Sequence, residues 1–402
     1  MNYFVYPAIL FVTLVLFTGC STYNSQDQKQ LEPTSTGGAG SPPSVEKTGI
    51  SAVRGVWLTN VDSDVLKSRE NIKEAINLCS ELGINTIFTV VWNKGFTLYP
   101  SKVMKDEFGI EIDTAISGRD PLKEVIEEAH KKKIKVIAWF EFGFASSFKI
   151  GGGHLLTAKP DWASKDFSGN LTTKNGFEWM NAFNPEVQNF ILALISEVVR
   201  NYDVDGIQGD DRLPALPSNG GYDEYTVEQY KKEHSGNNPP EDYKNHEWVK
   251  WRADKLTEFC GKIHQTVKAI DPNCIVSMSP SIYPWSKEEY LQDWPEWVKR
   301  GYVDLLCPQL YRYTIEEYKK VLSESYTKHL PKGYKHIFYP GVLIKVGGYF
   351  PKSDFLLQMI EANRELGIEG EVFFFYEGIK KYPDLFKNTI YRERADFPHL
   401  LK

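Results

Sequence analysis

Eight short runs of β-branched and aromatic residues, each followed by a longer stretch of helical apolar spacing, constrain this chain more than any other feature. The runs are Val53–Thr59, Ile84–Trp92, Ile134–Phe142, Val204–Asp210, Cys274–Ser279, Val303–Cys307, His336–Leu343 and Glu371–Tyr376. Between them, helical periodicity occupies 69–82, 120–133, 185–201, 244–270, 286–300, 314–329 and 353–366. Local punctuation agrees with this reading. Gly83 and Gly367 stand where a helix C-terminus needs a left-handed residue, and Asp120-Pro121 and Asn184-Pro185 pair a capping side chain with a first-turn proline. Eight strands separated by helices predict an α/β fold, a (β/α)8 TIM barrel. The doubly wound alternative usually has fewer strands and a glycine-rich first turn, and neither GxGxxG nor a P-loop occurs here.

A barrel makes a positional claim: chemistry belongs at the C-terminal strand ends and in the loops that follow them. Long insertions at 93–119, 143–184 and 211–243 follow strands two, three and four, where they would wall a groove. An open groove suits an endo-acting enzyme better than a pocket does.

Composition narrows the classes. With 47 Lys+Arg against 53 Asp+Glu, the formal charge of −6 disfavours a nucleic-acid binder. A mean hydropathy of −0.39 disfavours a polytopic membrane protein, and 42% hydrophobic residues disfavour a disordered chain. The count of 10 Trp, 22 Tyr and 23 Phe calls for an aromatic core or for rings that bind flat apolar faces with hydroxyl edges.

Residues 1–19 carry no Lys, Arg, Asp or Glu and lead into Cys20 through Leu16-Phe17-Thr18-Gly19. This resembles a bacterial lipoprotein signal, which implies cleavage before Cys20, acylation of that cysteine and attachment to the lipid bilayer outside the cytoplasm. Ser21 in place of Asp points to the outer membrane in a cell that has one. A plain transmembrane anchor is the alternative, but the run from Tyr3 to Gly19 is shorter than the ~20 residues a spanning helix needs. The rest of 20–50 is Ser-, Thr-, Gln-, Gly- and Pro-rich and reads as a flexible linker, which leaves 51–395 for the barrel. Cys79, Cys260, Cys274 and Cys307 lie inside apolar patterns and read as buried free thiols.

Carboxylates and aromatics gather at the predicted strand ends. The sequence VDGIQGDDR closes strand four with Asp210, Asp211 and Arg212, strand three ends at Glu141, and strand eight runs into Tyr376-Glu377. Glycoside hydrolysis needs two carboxyl groups, one to protonate the leaving oxygen and one to attack or to activate water. Asp210 is the first candidate for the attacking carboxylate, with Asp211 able to take the same role. Glu141 and Glu377 compete for the acid. Arg54, Trp57, Trp92, Asn93, Trp139, Arg212, Tyr283, Trp285, Gln309, Tyr311 and Tyr376 are candidates for binding sugar, with Trp92, Trp285 and Tyr376 the preferred stacking rings. Asp62 and Asp64 read as helix caps, and GGGH at 151–154 as a flexible loop. No HxH, HExxH or i/i+4 histidine pair occurs, so a zinc deacetylase is disfavoured and neither metal nor cofactor is expected. No protein partner is indicated.

RGVWLTN (54–60), TLYPS (97–101), AWFEFG (138–143), FNPEV (183–187), YDVDGIQGDDR (202–212), SMSPS (277–281), CPQLY (307–311) and VFFFYEG (372–378) together resemble the glycosyl-hydrolase-like ten family of bacterial TIM-barrel proteins, often lipoproteins. The resemblance implies cleavage of glycosidic bonds in a cell-envelope polysaccharide, peptidoglycan glycan strands foremost. The chain departs from the family's habit at Gln208, where His is common, and at VVWNKG, positions expected to tune substrate binding. The reading of a different class is a catalytically inactive glycan-binding lipoprotein that uses the same aromatic rim.

Overall fold

In a computed structural model, which describes residues 49–401, the eight runs form one parallel sheet. The expectations for the signal peptide, Cys20 and nearly all of the linker lie outside the described residues. The strands are β1 (Gly55–Leu58), β2 (Thr86–Val90), β3 (Lys135–Trp139), β4 (Gly206–Gly209), β5 (Ile275–Met278), β6 (Leu305–Leu306), β7 (Gly341–Leu343) and β8 (Val372–Phe374). Their order is β6-β5-β4-β3-β2-β1-β8-β7. Parallel bridges Leu306–Phe338 and Gln309–Gly341 join the two outermost strands, so the sheet curls until its edges meet in a TIM-barrel-like arrangement. At the base, Ile50–Ser51 pairs with Ala395–Asp396.

Each ladder is shorter than its apolar run because the flanking residues leave the sheet. His336 and Ile337 lie in a short 3-10 turn before β7, and Tyr376 starts a helical turn after β8. The helix of 185–201 keeps its expected bounds, capped by Asn184 with Pro185 in its first turn. The stretch 286–300 splits into helices Trp285–Tyr290 and Trp294–Lys299, because Leu291 takes a left-handed conformation (φ 61°) and Pro295 opens the second helix. Asp62 and Asp64 are not caps: Ser68 caps the helix of Arg69–Glu81, while Asp62 pairs with Lys345 and Asp64 with Lys67.

The sheet's interior is aromatic. Trp57 packs against Phe88, Trp139 and Phe374 with ring centroids 5.5, 6.3 and 6.1 Å away. Trp92, Trp179, Trp248, Trp294 and Trp297 are also fully buried, so much of the aromatic excess is core. All four described cysteines are buried and free.

The insertions build the rim. Asn175 and Gly176 both take positive φ (54° and 85°) and turn an antiparallel hairpin of Thr173–Lys174 with Phe177–Trp179. The loop at 151–154 is a cradle. Backbone N–H groups of Ile150, Gly151 and Gly152 donate to the Glu178 carboxylate at 3.1, 2.7 and 2.9 Å, and Ser147 donates as well. Burial pushes Glu178 upward, and these donors outweigh it and hold the carboxyl below its ordinary range.

Candidate active site

Strands β3 and β4 end beside one another, so the residues that follow them meet. Arg212 is the hub. Its Nη2 lies 2.9 Å from Asp210 Oδ2 and 3.8 Å from Glu141 Oε1, and its Nη1 lies 3.0 Å from Asp211 Oδ1. The Nε of Arg212 donates to the Glu141 carbonyl at 2.7 Å. Beneath the guanidinium lies the Phe177 ring, with the carbon at 4.9 Å from the centroid. One cation thus touches three carboxylates, and the Asp210 and Glu141 carboxylates lie within its span.

The three carboxylates differ in access. The Asp210 side chain is 1% exposed, Glu141 13% and Asp211 21%. Asp210 accepts from Trp139 Nε1 at 3.2 Å, from the Arg212 backbone N–H at 2.9 Å and from Arg212 Nη2. Burial pushes the Asp210 carboxyl well above the ordinary range, Arg212 pulls against it, and the charges of Asp211 and Glu141 push further. Glu141 is also raised by burial, opposed by Arg212 and by the N–H bond from Asn93 at 2.5 Å. Both oxygens of Asp210 already face N–H donors, whereas Glu141 Oε1 has only Arg212 at 3.8 Å. Of the two raised carboxyls, Glu141 is therefore the one with an oxygen that lacks a close N–H donor, which suits it better to carry a proton toward a bound ligand.

A second layer fixes this geometry. Gln292, fully buried, donates to the Asp210 carbonyl at 2.7 Å and to that of Pro214 at 3.2 Å. Gln208 accepts from Trp57 Nε1 at 2.7 Å and donates to Ser277 Oγ at 2.9 Å, so it braces the sheet's interior rather than facing the groove. The Asp210 and Asp211 charges reach the buried Tyr311 phenol, and burial together with those charges raises it. Tyr290, raised by burial and by Asp211, accepts from Asn175 Nδ2 at 3.1 Å. Tyr290, Gln292, Asn175 and Phe177 were not singled out from sequence. The Asn-Gly turn at 175–176 was the signal that could have located the hairpin carrying two of them.

Several sequence candidates stand elsewhere. Glu377 accepts from Ser63 at 2.7 Å and Lys380 at 2.9 Å in an ion pair of its own. Tyr376 is buried, with Lys380 5.5 Å from its ring centroid, and has no free stacking face. Trp92 is buried against Phe190 and donates to the Gly143 carbonyl at 3.0 Å. Arg54 precedes β1, so it lies at the N-terminal end of the sheet, donating to the Glu393 carbonyl and lying over Tyr391. Tyr283 packs on Trp294 and His329. Gln309 donates to the Ser279 carbonyl at 3.0 Å at the end of β6. Trp285 is exposed and leans on Tyr290, with ring centroids 5.4 Å apart.

Comparison with known proteins adds to this picture. The model of a family described as glycosyl hydrolase-like 10 matches residues 52–340. Glycosyl hydrolase DigH of Escherichia coli K12 is 26% identical over 346 residues, covering 76% of this chain and 74% of its own. Glycosyl hydrolase YngK of Bacillus subtilis is 24% identical over 391 residues, covering 87% and 73%. Among solved structures, the PgaB (BpsB) glycoside hydrolase domain of Bordetella bronchiseptica superposes with a TM-score of 0.63 at 14% identity, over 84% of this chain and 98% of that one. The β-amylase catalytic domain of Paenibacillus polymyxa gives 0.60 at 10% identity, over 86% and 100%. At these identities the structural likeness speaks to the fold.

Proposed function

Because this chain belongs to the glycosyl hydrolase-like 10 family, we propose that it is a glycoside hydrolase acting on a cell-envelope polysaccharide, with peptidoglycan glycan strands as the favoured substrate, held at the membrane through an acylated Cys20. The observation that carries the catalytic reading is Arg212 touching Asp210, Asp211 and Glu141 at the C-terminal end of the sheet. Gathering three carboxylates around one cation, with Asp210 buried, costs several kcal/mol of desolvation for the buried ion and leaves uncompensated negative charge. A folding role gives no reason for that arrangement, whereas glycoside hydrolysis needs two carboxyl groups beside the scissile bond.

In this reading Glu141 is the general acid. Burial pushes its carboxyl upward, which favours the protonated form that can release a proton to the glycosidic oxygen. Asp210, aligned by Trp139 and Arg212, is the carboxylate that meets positive charge developing at the anomeric carbon, with the Arg212 cation opposing the upward push that burial gives it. Asp211 and Arg212 contact the sugar beside the scissile bond, and Trp285 stacks on a neighbouring ring. The reading is tested by incubating purified protein with peptidoglycan, with peptide-free glycan strands and with common exopolysaccharides, followed by mass analysis of products. New reducing ends from at least one of them are expected. Binding without product from any of them overturns the hydrolase reading and leaves a glycan-binding protein.

A further inference from the structure

Hollows large enough for a sugar lie on the described surface, and two of them can be compared. The larger, about 710 Å³, is lined in part by Arg69, Arg119, Glu124 and Glu127. Its charges are spent on each other, in the Arg69–Glu127 and Arg119–Glu124 pairs. The smaller, about 540 Å³, lies within the ~300–1,000 Å³ typical of small-molecule sites and is lined by Phe167, Lys174, Ser218, Asn219, Tyr243 and Glu289. We propose that this second cleft is a glycan subsite, which takes sugar units of the same strand beyond those at Asp210 and Glu141. The inference rests on the hydrolase reading for the identity of the strand, but its own evidence is separate.

Three observations support it. Phe167 and Tyr243 line the cleft while 53% and 41% exposed, which puts two rings in contact with water at the edges of one hollow. Such rings are what pyranose C–H faces stack on. Ser218 is fully buried, yet its Oγ has no hydrogen-bond partner, and neither has Asn219 Oδ1. Buried polar atoms are seldom left unpaired, so these two oxygens suit sugar hydroxyls that donate to them. The wall that carries them is fixed by Arg252. This fully buried cation donates to the carbonyls of Ser218, of Gly220 at 2.7 Å and of Tyr243 at 2.7 Å, and it has no carboxylate partner among the described residues. Burial lowers its pKa to about 9. A buried cation used to hold three loop carbonyls ties the Ser218 edge and the Tyr243 edge into one frame.

The wall of the cleft and the catalytic cluster also meet at adjacent residues. Glu289, paired with Lys174 and Lys244, lies in it, and the next residue, Tyr290, feels the charges of Asp211 and Arg212. Lys174 stands 4.7 Å from the Tyr290 ring centroid. Lys174 and Lys244 are balanced by Glu289 and by Asp166, which also lines the cleft, so the cleft favours a neutral ring over an acidic one.

The test compares long and short probes. Full-length protein carrying Glu141→Gln, to slow hydrolysis, is titrated calorimetrically with β-1,4-linked N-acetylglucosamine oligomers of six and two residues. The hexamer should bind about tenfold or more tightly than the dimer, and Phe167→Ala/Tyr243→Ala should collapse that ratio toward one. Ser218→Ala, which removes a hydroxyl with no internal partner, should lower the ratio while the melting temperature stays unchanged. A hexamer-to-dimer ratio near one in the parent, or a ratio that survives both variants, overturns the subsite. The two readings fail separately. A ratio that collapses as expected while wild-type protein releases no reducing ends keeps the subsite and removes the hydrolase, and turnover with an unaffected ratio does the reverse.

Discussion

At the scale of single residues, the proposed acid role of Glu141 makes Asn93 the residue whose hydrogen bond would set the working pH. Its amide donates to Glu141 and so favours the ionised carboxylate. Removing it with Asn93→Ala raises the Glu141 pKa further. An acid must be protonated to act, so activity is lost as pH rises through that pKa, and the alkaline limb of the kcat profile should move to higher pH in the variant. A limb that stays in place or moves down would take the acid role from Glu141. The two tryptophans make a contrasting pair. Trp92 is enclosed and Trp285 is open, so Trp92→Ala should cost about 3–5 kcal/mol of stability, while Trp285→Ala should raise KM with little change in melting temperature. Sequence alone ranked these rings together, because an aromatic at a strand end does not reveal which way its side chain turns. The pairing of Asp210 with Arg212 was legible, since adjacent carboxylates and an arginine at the end of a buried strand need a reason. The separation of Glu377 from them was not, because nothing in YEG announces that Ser63 and Lys380 take its oxygens.

At the scale of elements, the site depends on how closely the ends of β3 and β4 approach. Gly143 has φ 49°, and a Cβ there would run into the Arg212 carbonyl. The same carbonyl accepts from the Phe144 N–H at 3.0 Å, so the backbone that carries Arg212 is pinned to the backbone after Glu141. Gly143→Ala should cost about 1–3 kcal/mol of strain and should lower kcat more than it raises KM, because it displaces Arg212 rather than the sugar-stacking rings. Unchanged kcat alongside a lower melting temperature would show that this contact is structural only. Strands and long helices were readable because apolar periodicity is strong over their length, as the helix of 185–201 illustrates. The rim was not. Its hairpin at 173–179 consists of two- and three-residue strands in a polar insertion, and its register follows from pairing with Ala145–Phe148, a contact across tens of residues.

At the scale of the whole molecule, the two ends of the sheet carry different burdens. At the N-terminal end, the fully buried Glu371 accepts from Arg364 at 2.8 and 3.1 Å, from Tyr391 at 2.7 Å and from Asn363 at 3.0 Å. Burial alone would raise this carboxyl, and the Arg364 charge with these donors outweighs it and holds the carboxyl low. Its stabilisation is present above the unfolded pKa of about 4.3 and is lost as pH falls through the lower folded value. Glu371→Gln should therefore destabilise the protein by about 3–5 kcal/mol at neutral pH, and the gap in melting temperature should narrow in acid. A gap that is the same at pH 7 and in strong acid would mean that Glu371 is not ionised in the folded protein. The C-terminal end shows the opposite electrostatics, with the Glu141 and Asp210 carboxyls raised rather than lowered, the pattern expected of a reactive cluster.

The most direct test of that assignment is reducing-end release from the polysaccharide that wild-type protein degrades, measured for Asp210→Asn and Glu141→Gln with glycan binding followed in parallel. Both variants should lose about 10²–10⁴-fold in kcat while still binding glycan. Wild-type rates in either variant would contradict the assignment of Asp210 and Glu141 as the reacting carboxylates.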